Sequence, residues 1–147
     1  MPTSPAIASH AVCSWGSVGP SVPGIQPSWV IGMFELRAFG SVRGLQLERI
    51  ELVDGAGRTV ATAATELELR RVPPGRSQQD FSRYDTQDFD GLVPTGETVR
   101  LWMHGRLDRD FSAIMSTTPA RYRATLVTAD GARLAVEGPL DPPWPTA

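Results

Sequence analysis

The chain has 147 residues, of which 41 % are hydrophobic and 20 % charged, and its net charge is -2. That fits one globular domain with one core and excludes wholesale disorder. The 14 basic residues are all arginine and lie scattered from Arg37 to Arg133, so no basic face is available to neutralise the phosphates of a nucleic acid. Cys13 is the only cysteine, which excludes an intramolecular disulfide and a multi-cysteine metal site. No apolar run approaches the roughly 18 residues of a membrane span. Lysine and asparagine are both absent, which points to a GC-rich coding sequence and removes any N-x-[ST] glycosylation site.

Residues 1 to 27 hold five prolines and three glycines without a sustained period. Proline lacks an amide donor and restricts the residue before it, so this stretch reads as an extended arm and not as a packed element, with Trp15 its best anchor. No basic n-region and apolar core of a secretory signal is visible from Met1, and Ala11-Val12 before Cys13 makes a poor lipoprotein box. If the true start lay upstream, a cleavage site would fall near Ala8 or Ser9.

The domain proper is read as residues 28 to 138. Ser28 to Phe39 is a first strand: Val30, Phe34, Leu36 and Ala38 alternate with Ile31, Met33, Glu35 and Arg37, and both faces begin apolar, as in a strand covered on both sides. Gly44 to Asp54 is a second strand with a fault in phase. Leu45 and Leu47 are in step, whereas Ile50 and Leu52 are one residue out, so a β-bulge is expected near Glu48-Arg49. Asp54-Gly55-Ala56-Gly57 supplies a hairpin turn. The returning strand, Arg58 to Arg71, places Ala61, Ala63, Thr65, Leu67 and Leu69 on one face; its small residues imply close approach by another strand or by the arm.

Val72 to Gly96 is a long irregular connection, of a length that is uncommon unless functional, and Phe81, Tyr84, Phe89 and Leu92 are expected to tuck it against the body. Glu97 to Leu107 then gives the cleanest alternation in the chain: Val99, Leu101, Met103 and Leu107 inward, Arg100, Trp102, His104 and Arg106 outward. Asp108-Arg109-Asp110 turns the chain, Phe111 to Ser116 forms a short element, Arg121 to Thr128 is a strand with Tyr122, Ala124 and Leu126 on one face, and Ala129 to Ala132 turns into Arg133 to Gly138, with Leu134 and Val136 inward. Residues 139 to 147 are a proline-rich tail carrying Trp144. Short strands, frequent turns and no long amphipathic helix predict an all-β fold, an antiparallel β-sandwich, immunoglobulin-like in topology, with irregular proline-rich terminal arms.

Chemistry-bearing clusters are few. A serine-histidine-carboxylate triad on His104 has no GxSxG or comparable frame, so the protein is read as not an enzyme. Asp88, Asp90 and Glu97 fall at positions three, five and twelve of a calcium loop with Gly91 at six. However, Thr86 stands at position one, Pro94 interrupts the second half and no helices flank the segment, so a solvated acidic loop is the better account. Met103 and His104 are too close in sequence to share a copper ion, since neighbours on a strand point to opposite faces. Arg100, Trp102 and His104 form an outward row that either contacts a partner or is covered, and covering is favoured because a large exposed aromatic is uncommon. The sequence therefore reads as a non-catalytic structural or interaction module, a subunit of a larger assembly such as a surface layer, appendage or virus particle, with protein partners reached through the arms and through Trp15, Arg100, Trp102, His104 and Trp144. The alternative is a secreted or surface ligand-binding domain for calcium or carbohydrate. No cofactor other than calcium is implied.

Overall fold

The computed structural model describes residues 10–18, 28–73, 86–109, 114 and 119–139, the first of these stretches by its backbone alone. The strands are β1 (His10–Val18), β2 (Ser28–Arg37), β3 (Gln46–Asp54), β4 (Thr59–Arg71), β5 (Gln87–Asp88), β6 (Thr98–Leu107), β7 (Pro119–Val127) and β8 (Arg133–Pro139). They pair antiparallel in one sheet of order β1-β2-β6-β4-β3-β7-β8, with β5 beside β4. The sheet curls until β1 and β8 approach each other, so it is nearly closed into a barrel. The all-β expectation holds, but the strands pair continuously instead of dividing into the two separate sheets of a sandwich.

The continuity comes from β4. Its first part pairs with β3, Ala61 opposite Leu52 and Ala63 opposite Ile50. From Ala63 onward it pairs with β6, reaching Glu68 opposite His104 and Arg71 opposite Leu101. Two register shifts lie in between, within residues 63 to 68, and Glu66 there has φ 54°, a left-handed conformation that a non-glycine residue adopts only at a cost. Each bulge adds one residue, so together they restore the phase, and Leu67 and Leu69 still pack against the core on the side of Ala63. The bulge expected in β3 is present as well: Leu47 pairs with Leu126 and Arg49 with Thr125, leaving Glu48 as the extra residue.

The core gathers Phe34 and Leu36 from β2, Leu101 and Met103 from β6, Ile50 and Leu52 from β3, Tyr122 and Leu126 from β7 and Val136 from β8. Full burial of each such side chain stabilises the fold by about 1.5–3 kcal/mol. Phe111 to Ser116 lies outside the described residues except for Ile114, which is wholly buried in this core. Of the small residues of β4, Ala63 lies against Gly105 of β6. A Cβ on Gly105 of β6 would stand 2.8 Å from the Ala63 Cβ and 2.9 Å from Leu67 Cδ2, so the core has no room for a side chain at position 105.

Turns follow the sequence. Asp54 Oδ1 accepts from the backbone N–H of Ala56 and of Arg58, and Gly57 has φ 86°. At the other hairpin Thr128 N–H donates to Ala132 O, and the Thr128 hydroxyl donates to Asp130. The residue 38–45 stretch is tied to the end of the long connection by a reciprocal Val42–Val93 pair and by the Leu45 N–H to Gly91 O bond.

Two expectations change. Residues 10 to 18, read as part of an irregular arm, form a strand along β2. The five prolines of the first 27 residues all lie outside this stretch, at or before Pro5 and from Pro20 on, which leaves its amides free for a ladder. Leu92, expected to tuck inward, is exposed, whereas Phe89 packs partly against the core. Phe81, Tyr84 and the tail from residue 140, Trp144 included, lie outside the described residues.

Candidate interaction face

Strands β2 and β6 pair without a register shift: Trp29 lies opposite Arg106, Ile31 opposite His104, Met33 opposite Trp102 and Glu35 opposite Arg100. Directly opposed residues of an antiparallel pair share a face, and because Phe34, Leu101 and Met103 point into the core, these eight stand on the outer side. The outward assignment of Arg100, Trp102 and His104 is therefore correct.

On this face Met33, Trp102 and Val72 make a second apolar cluster, with Ile31 packed against it. The aromatic groups form a row. The Trp29 and His104 rings stack at 4.7 Å with 20° between planes, the His104 and Trp102 rings at 5.7 Å and 1°, and the Arg106 guanidinium sits 5.8 Å from the Trp29 centroid. Stacked rings of this kind contribute about 0.5–1.5 kcal/mol beyond their burial, and a cation over an indole at a surface adds about 0.5–1 kcal/mol. Arg100 closes one end, donating from Nε (3.2 Å) and Nη2 (2.7 Å) to the same Glu35 oxygen. Beyond that pair lies a cleft of about 160 Å³ bordered by Arg71, Val72, Pro73 and Thr98.

Trp102 is only 3 % exposed, so it is covered and cannot itself be a contact residue on the surface of this fold. Arg100 is engaged by Glu35 and His104 by two indoles, so the row is spent on internal contacts. Trp29, Ile31 and Met33 complete the face. Their apolar character on both sides of β2 was legible in the sequence, but the register that sets them against β6 was not.

The outer side of β3, β7 and β8 is different in kind. Arg133 donates to Glu48 (2.9 Å), Arg49 pairs with Glu51 (3.2 Å), Arg123 pairs with Glu137, and the Thr59 hydroxyl donates to Glu51 (2.8 Å). Partial burial pushes the Glu51 carboxyl up, but bonds from Thr59 and Arg49 and the charges of Arg49 and Arg123 outweigh it and hold it below the ordinary glutamate value. The Glu137 carboxylate raises Arg123. This is a solvated, ion-paired surface, whereas the β2–β6 face is aromatic.

Asp88 and Asp90 of the acidic loop have separate partners. The Asp88 carboxylate accepts from Arg70 Nη1 (2.9 Å), because β5 pairs with β4 at Arg70 and Arg71. Asp90 Oδ1 accepts from Leu92 N–H in a local turn, and Glu97 is exposed at the start of β6. Among the described residues no group of three or more histidines, cysteines or acids is placed to hold a metal ion. Arg70 takes the Asp88 carboxylate, and the chain goes on from Gly91 to pair at Val93. No helix among the described residues is long and apolar enough to cross a membrane.

Trp15 sits on β1 with Ile31 as its cross-strand partner, at the level of His104, and His10 is opposite Glu35. Compared with known proteins, the chain matches no family model, and no curated protein is similar to it in sequence.

Proposed function

We propose that the protein is a non-catalytic structural or interaction module that engages protein neighbours through its terminal segments, as one subunit of a larger assembly. The observation that carries this reading is the attachment of His10–Val18: a terminal segment lies along the edge of β2 in antiparallel register, the main-chain mode by which an extended arm recognises a sheet edge. We read the strand order as immunoglobulin-like, with β4 joining the β1-β2-β6 and the β3-β7-β8 parts of the one sheet.

Light scattering on the full chain and on a chain lacking residues 1 to 27 tests the proposal. The full chain is expected to associate, with itself or with a co-purified partner, and the shortened chain to lose that association. Equal behaviour of the two would overturn the reading.

A further inference from the structure

We propose that the opening where β4 leaves β3 receives an extended segment of another protein, which adds as a short strand beside β3 and seats every second side chain, an apolar one, on the core below. This goes beyond the reading of the terminal segments as the points of attachment, since it gives the body a receiving site of its own.

The opening follows from the register. Strands β3 and β4 are joined as far as the Ile50–Ala63 pair and no further. From there β4 turns to β6 through two register shifts, while β3 keeps β7 as its only ladder partner from Gln46 to Arg49. Only at Arg70 and Arg71 does β4 regain a neighbour on its free side, the two-residue β5. The chain then runs past Phe89 to Gly91, whose carbonyl accepts from the Leu45 N–H and closes the far end. Among the described residues no strand fills the gap so framed.

Its lining suits a peptide. Leu45, Leu47, Leu67, Leu69 and Phe89 surround a space of about 340 Å³, and all but Leu45 are only partly buried against the core. The wall on the β3 side is main chain. Amides and carbonyls alternate in direction along a strand, so those of Gln46–Arg49 that turn away from β7 have no ladder to enter. Apolar side chains beside a free main-chain edge are what strand addition reads: main-chain bonds give affinity, and pockets for alternate side chains give specificity. The volume lies near the low end of ligand clefts, which run from about 300 to 1,000 Å³, and suits a few side chains of a longer chain better than a whole cofactor.

The backbone is strained at the same place. Glu66, with φ 54°, lies at the bulges that part β4 from β3, and such strain concentrates at ligand clamps.

A phage-displayed library of random linear dodecapeptides, panned on the immobilised full chain, supplies the probes. Enriched peptides are expected to carry apolar residues at alternate positions. L47W, which fills the opening with an apolar group, should weaken their binding by about tenfold or more at unchanged circular dichroism. Two measurements on the wild-type chain do not depend on that variant. Methylating one alternate set of peptide amides should abolish binding, and methylating the other set should not. Hydrogen exchange should find the gap-facing amides of Gln46–Arg49 unprotected in the free chain and slowed about tenfold or more by peptide.

Protection of those amides in the free chain overturns the proposal, because the edge is then already taken. So does a library that enriches nothing, or one whose peptides bind L47W equally well or tolerate methylation at every amide. If residues 1 to 27 carry association in light scattering while no peptide meets these criteria, this inference falls and the terminal-segment reading stands. If peptides bind at the gap and removing residues 1 to 27 changes nothing, the reverse holds.

Discussion

The imidazole of His104 lies parallel to the indole of Trp102, with 5.7 Å between ring centroids and 1° between planes, two residues apart on one strand. The stack holds the outer face of β6 in place, and Trp102 is nearly as well covered there as the core is on the other side.

Truncating Trp102 to alanine should therefore act on stability. The W102A chain is expected to lose about 3–5 kcal/mol, as other buried aromatics do when deleted. Urea melts check this: an unfolding free energy within about 0.5 kcal/mol of wild type would mean that Trp102 is not packed as described.

The sequence was informative wherever alternation carried the information. Two leucines in step followed by Ile50 and Leu52 out of step located the β3 bulge, and the period of Val99, Leu101 and Met103 assigned both faces of β6. The bulges of β4 left no such trace, because two successive insertions cancel and keep Leu67 and Leu69 in phase with Ala63. For the same reason the sequence suggested a plain returning strand and two separate sheets. The short proline-free interval from His10 to Val18 has no alternation to read, and its pairing depends on the edge that β2 offers. At the candidate site the row Arg100, Trp102, His104 was legible, but the stacking by Trp29 depends on a cross-strand register that no local pattern encodes.

Gly105 gives a second prediction. A methyl group there would press on the Ala63 Cβ at 2.8 Å and on Leu67 Cδ2 at 2.9 Å. G105A is expected to destabilise the fold by about 1–3 kcal/mol, the usual cost of overpacking. Adding A63G should recover part of that loss, since it removes the nearer of the two contacts. Thermal melts of the single and double variants decide it, and a double variant no better than G105A would show that the crowding lies elsewhere.

The third prediction concerns acid. Glu51 has a folded-state pKa below its unfolded one, so its contribution to stability is fully present above the unfolded value and is lost as the pH falls through the folded value. Asp130, lowered by the Thr128 hydroxyl and by backbone donation from Ala132, follows the same sign. Stability measured between pH 7 and pH 2 should fall less steeply in E51Q and D130N than in wild type, with the difference confined to the acid side. Parallel curves across that range would contradict both assignments.

Because β4 gives its first residues to β3 and its last to β6, each side of the molecule borrows part of its edge from the other. Neither side is a self-sufficient folding unit. The chain must close β6 onto β4 across the 26 residues between Arg71 and Thr98 before the sheet is complete. Pairing of β4 with β6 is therefore a non-local contact, of the kind that slows the folding of β-proteins.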